Sequence, residues 1–161
     1  MKSLLHLLFA ATLCFLADGS SRLHAEPATP AVTGTFTGNG KPGNLAFVSA
    51  RKGERVFDKE TIVLIFTEKD HAKAAKPENK AAFGDFGSAL VITVDSEGKI
   101  VGCEVAHAAH DKRAFSSVGT IQLTDFKNDG GELHGKLSSG GEQEFFKKTW
   151  DVDLTFHTKA P

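Results

Sequence analysis

The run Cys103-Glu104-Val105-Ala106-His107-Ala108-Ala109-His110-Asp111 holds the densest chemistry in the sequence. A thiolate and two imidazoles are good ligands for zinc or copper. A neighbouring carboxylate such as Asp111 orients a ligating ring by taking its second N–H. On a strand, Cys103 and His107 project from one face with Cα atoms about 13 Å apart, at roughly 3.3 Å per residue. One ion bridges that gap only if the chain bends near Ala106. His107 and His110 fall in or beside a loop, where bending is easy, so they form the better two-ligand pair. His71 is the one histidine upstream of them in the mature chain. A simpler expectation competes with the metal site. Val101, Cys103 and Val105 share a strand face, which makes Cys103 a small buried hydrophobe. His107 and His110 are then solvated loop residues.

The Cys103-x3-His107 spacing resembles the copper loop of cupredoxins, which are exported β-sandwiches. The chain departs from that pattern at two points. Its one methionine is Met1, so no axial methionine follows, and some fifty residues come after the loop. The chain is not placed in that family. Other motifs are weaker. Ser138-Ser139-Gly140-Gly141 lacks the Gly-Lys-Ser/Thr ending of a phosphate loop and reads as a turn. Ser116 and Ser117 lie near His110 and Asp111, but no Gly-x-Ser-x-Gly elbow surrounds them. Glu142, Glu144, Asp151 and Asp153 read as solubilising charges that also guard strands against edge pairing.

These residues need a scaffold, and the start of the chain bears on where it works. Met1-Lys2-Ser3 precedes an apolar run from Leu4 to Leu16, broken only by His6 and Thr12, and then a polar stretch. This is the layout of a signal peptide over residues 1–25, with Leu23-His24-Ala25 at the cleavage point. The run is shorter than the ~20 residues a membrane-spanning helix needs. Residues 26–31 read as a flexible lead-in and 32–161 as a single β domain. The expected location is periplasmic or secreted.

The 161 residues include 19 basic and 20 acidic side chains; losing Lys2, Arg22 and Asp18 with the signal leaves 17 and 19. That balance gives no footprint for nucleic acid. No later segment reads as a membrane span. Cys14 leaves with the signal, so Cys103 is the lone cysteine of the mature chain and the fold is held by packing without an internal disulfide. The aromatics are almost all Phe, with one Trp and no Tyr. Phe fills cores but offers no hydrogen bond, which counts against a carbohydrate-binding surface.

From Val32 onward, short alternating runs are broken by Gly, Asp, Asn and Pro, the mark of strands. Thr61–Thr67 is nearly continuous in apolar residues, so this strand is expected to be central and covered on both faces. Asp70 could cap one helical turn and Pro77 begin another ending at Gly84. In the last segment Trp150, Val152, Leu154 and Phe156 alternate with Asp151, Asp153, Thr155 and His157, which puts the first set in the core. The sequence predicts an all-β fold: an antiparallel β-sandwich or flattened barrel of about eight strands with one or two short helices.

With no catalytic motif and no cofactor signature, the functional expectation is a non-enzymatic exported domain. It binds a small molecule or a protein partner through loops at one end of the sheets. The loop from His107 to Ser116 and the insert from Asp70 to Gly87 are the most unusual connections. The alternative is a zinc- or copper-binding protein using His107 and His110, with Cys103 or His71.

Overall fold

Strict alternation over a long segment forces a strand with one face inward, and the C-terminal strand sets the frame of the molecule. The computed structural model describes residues 31–111 and 114–161; the signal-peptide segment and all but the last residue of the lead-in lie outside them. In chain order the elements are β1 (Val32–Gly38), β2 (Lys41–Pro42), β3 (Phe47–Lys52), β4 (Thr61–Thr67), α1 (Pro77–Ala82), β5 (Ala89–Asp95) and β6 (Ile100–Ala106). A 3-10 turn at Ala108–His110 follows, then β7 (Phe115–Ser116), β8 (Gln122–Asp129), β9 (Glu132–Ser138), β10 (Gln143–Phe145) and β11 (Lys148–Lys159).

Two antiparallel sheets pack face to face, so the closure is a sandwich. One has the order β2-β1-β11-β9-β8 with β10 also on β11, and the other β3-β4-β5-β6-β7. Trp150, Val152, Leu154 and Phe156 of β11 are all buried between them, as the alternation requires. They meet Leu64 and Phe66 of β4, Leu90, Ile92 and Val94 of β5, and Cys103 and Val105 of β6. The Phe66 and Phe156 rings meet edge to face at 5.3 Å across the two sheets.

β4 lies one strand in from the edge and is covered on both sides. Its outward Ile65 belongs to a second, smaller core with Ala81 of α1, Val91 and Ala106. Pro77 begins α1 with its fixed φ, and Gly84 follows the end at φ +75° with its N–H on the Ala81 carbonyl. The expected earlier helical turn does not form. Asp70 caps only a tight turn, its Oδ1 accepting the Ala72 N–H at 2.8 Å, and Pro77 then restarts the chain.

β8 carries a bulge between Thr124 and Lys127, where Asp125 turns to φ +53°. Gly130-Gly131, both at positive φ, form the whole turn between β8 and β9. Two glycines suffice for the primed hairpin turn, so the strands run up to them. Three short strands, β2, β7 and β10, have too few residues to show a period. Among the described residues no helix is long and apolar enough to cross a membrane.

Candidate functional site

His107 leaves the end of β6 and His110 closes the 3-10 turn that follows. Their rings are 5.4 Å apart, centre to centre. Both are buried, only 2 % and 1 % exposed, which corrects the expectation of solvated loop histidines. The reason is tertiary. Gly38 of β1 stands directly opposite Trp150 of β11, so His107 fills the space its missing side chain leaves on the inner face. A Cβ on Gly38 would lie 2.5 Å from His107 Cγ. Phe36 meets the same ring edge-on at 5.2 Å. Phe115 stacks on Phe145 at 4.9 Å and covers His110.

Hydrogen bonds fix both tautomers. His107 Nδ1 accepts the Ala109 N–H at 3.1 Å, so the ring proton sits on Nε2. His110 Nε2 lies 2.8 Å from the Thr149 carbonyl and must donate, which leaves a lone pair on Nδ1. His107 Nε2, His110 Nδ1 and the nearby Trp150 Nε1 are buried without partners. The pair therefore presents one donor and one acceptor, not two lone pairs. A metal ion held by both rings would require the Ala109 bond to break.

Cys103 points into the inter-sheet core at 1 % exposure. Burial pushes its thiol up to about 12, so it stays protonated at neutral pH. Among the described residues no cluster of three or more His, Cys, Asp or Glu side chains is arranged to hold a metal. His71 lies on the other side of the five-stranded sheet, near Phe86. It hydrogen-bonds Ser49 and Thr67. Burial lowers the pKa of all three histidines, 71, 107 and 110. Asp70 opposes the shift at His71 and the His107–His110 proximity adds to it at His107.

The two unusual connections meet. The Ala114 N–H donates to the Ala82 carbonyl at 3.2 Å, tying the loop after His110 to the end of α1. Beside that bond lies a depression of about 500 Å³ between Phe83, Glu104 and Ser116. A second, of about 520 Å³, shares Glu104 and Ser116 with it and runs back along α1 towards Glu54. Together they form one groove over the outer face of the five-stranded sheet. Its floor is Val63, Val91 and Val101; Val118 and Phe83 stand exposed at its sides. The rim is acidic: Glu54, Glu78 and Glu104. Glu78 pairs with Arg51 at 3.2 Å, while Glu54 and Glu104 have no ion-pair partner among the described residues.

Sequence reasoning picked out the two connections but not the groove residues. Glu54, Glu78 and Glu104 are far apart in the chain, after β3, on α1 and on β6, and only tertiary packing gathers them. Comparisons with family models, with curated proteins and with solved structures found no match.

Proposed function

We propose that this chain is an exported binding domain whose ligand lies in the groove beside α1. The observation that carries the reading is an apolar valine floor beside two rim carboxylates, Glu54 and Glu104, that lack an ion-pair partner among the described residues. Concave apolar sites of a few hundred Å³ with a few placed polar groups are the usual form of small-ligand sites. Here the polar groups are anionic, so the matching ligand has an apolar body and a positive charge. Among the described residues no lysine or arginine lines either depression, and Arg51 reaches the rim only through its pair with Glu78.

The test uses phenethylammonium as the probe and neutral 2-phenylethanol as its control, followed by amide shifts in nuclear magnetic resonance. Phenethylammonium should shift Val101, Glu104, Ser116 and Val118 and saturate in the millimolar range, as expected for so small a ligand. Glu104→Gln should weaken it by about tenfold, the worth of one charge-assisted hydrogen bond, and leave 2-phenylethanol unchanged. Equal binding by the variant, or shifts confined to another surface, refutes the site.

Export is part of the same reading. The signal-peptide layout supports it, and N-terminal sequencing of protein recovered from the periplasm or medium should begin at Glu26. A chain retained in the cell with Met1 intact overturns it.

The metal reading at His107 and His110 is the competitor. Metal analysis of dialysed protein separates the two, since one bound zinc or copper per chain, lost in His110→Ala, would favour it.

A further inference from the structure

The insert after β4 does more than cross the sheet. Its one histidine, His71, enters a three-membered relay. Ser49 Oγ lies 2.7 Å from His71 Nε2, and His71 Nδ1 lies 2.6 Å from Thr67 Oγ1. The Thr67 hydroxyl donates its own proton to the Lys69 carbonyl at 2.7 Å. A hydroxyl has one proton to give, so Thr67 Oγ1 must accept from His71 Nδ1–H. The ring is thereby fixed with its lone pair on Nε2, and Ser49 Oγ–H must point at it. A hydroxyl, a base aimed at its proton, and a third group that holds the base in the right tautomer make an activated-nucleophile arrangement.

We propose that Ser49, His71 and Thr67 form an acyl-transfer site in which Ser49 is the nucleophile, His71 the general base and Thr67 the positioning residue. The placement suits this. His71 and Thr67 are 4 % and 0 % exposed, which locks the base, while Ser49 is only half buried. β3 is the edge strand of its sheet, so substrate can approach from the side. Val48 turns its carbonyl away from β4, since the Thr158 hydroxyl reaches it at 3.5 Å. N–H and C=O directions alternate along an antiparallel strand, so the Ala50 N–H faces the same edge, beside a depression that Ala50 lines with Pro161. It follows the nucleophile directly and is the donor placed to meet an oxyanion. Phe47, two residues before Ser49 on the same strand face, is 39 % exposed and offers an apolar rest for the alcohol part of an ester. The substrate class is therefore carboxylic esters of aromatic or other apolar alcohols.

The chemistry balances with water as the only co-reactant. Ser49 Oγ forms a bond to the ester carbonyl carbon while His71 Nε2 takes the hydroxyl proton. The carbonyl carbon–alkoxy bond then breaks, and the alcohol leaves carrying that proton. Water adds to the acyl-serine, giving one proton to His71, and the acid leaves as Ser49 recovers its hydrogen. No oxidation or reduction occurs.

The experiment treats the protein with a fluorophosphonate and maps the adduct by mass spectrometry, which needs no variant. A parallel assay follows nitrophenolate release from 4-nitrophenyl acetate. The expected result is one adduct per chain, on Ser49, with labelling and ester cleavage both abolished in Ser49→Ala. Thr67→Val should slow labelling at least tenfold, and Thr67→Ser, which keeps the hydroxyl, should restore it. A folded protein that leaves Ser49 unmodified, or is modified elsewhere instead, overturns the proposal. So does equal labelling of Ser49 in Thr67→Val, because a relay that merely pins the insert does not set the reactivity of Ser49.

Discussion

Acidification below pH 6.5 should progressively destabilise this protein, and three buried histidines are the reason. Burial lowers the pKa of His71, His107 and His110 from the 6.5 of an unfolded chain. Above pH 6.5 each is neutral in both states and contributes nothing to the pH dependence. Below it, the unfolded chain takes up protons that the native chain refuses, so stability falls as pH falls until the native groups also protonate. Each proton the native chain refuses costs about 1.4 kcal/mol per pH unit, so the slope at any pH is set by how many of the rings are still held neutral there. Against a total stability of about 5–15 kcal/mol, a loss on that scale is readily measured.

His107 resists most clearly on geometry. Its second proton would have to go on Nδ1, where the Ala109 N–H already points. Trp150 is the single tryptophan and is fully buried, so its fluorescence reports unfolding without a label. Urea midpoints measured from pH 7.5 down to 4.5 should drop continuously below 6.5. His107→Asn, whose side-chain oxygen can still accept from Ala109, should be less stable at pH 7.5 but show a shallower fall below 6.5. A flat profile between pH 7.5 and 5 would mean that these rings are not buried as described.

Gly34→Ala should abolish the fold or cost more than about 4 kcal/mol, the range reserved for a broken structural element. Gly34 sits in the middle of β1 at φ +124°, a backbone conformation that side chains rarely adopt. A Cβ there would lie 2.0 Å from the Asp153 carbonyl oxygen and 3.0 Å from Leu154 Cα. Both are backbone atoms of β11, pinned between β1 and β9, and cannot swing aside as a side-chain tip would. Gly40→Ala is the comparison. It also has a positive φ, +67°, but nothing lies within 4 Å of its added Cβ. It should cost only the left-handed strain of about 1–2 kcal/mol. Urea denaturation followed by Trp150 measures both, and equal stability of the two variants would refute the β1–β11 contact at Gly34.

Gly34 also shows where reading the chain stops. In Val32-Thr33-Gly34-Thr35-Phe36 the glycine interrupts a good strand pattern, and nothing local says that another strand's backbone fills its place. Gly38 is the same case with His107 as the neighbour. The motif of Cys103, His107 and His110 was visible as a run of ligand types, but the burial of its histidines depends on a glycine some seventy residues earlier. Ser49 and Thr67 carry no local signal either; they join His71 only because β3 pairs with β4 and the insert folds back over them.

What the sequence alone determined was whatever a short window can encode. The two-residue period of β11 placed Trp150, Val152, Leu154 and Phe156 inside. The continuous apolar run of β4 required cover on both faces. Pro77 and Gly84 bounded α1. Gly-rich breaks marked the hairpins, and together these specified an antiparallel all-β domain. The tertiary structure decided which strands share a sheet, and hence that the closure is a sandwich. It also decided which carboxylates gather around the valine groove and which hydroxyls flank His71. The difference is physical: periodicity and turn chemistry are local backbone properties, whereas a site is assembled by pairings between residues tens of positions apart. Their register is set by packing of the whole core.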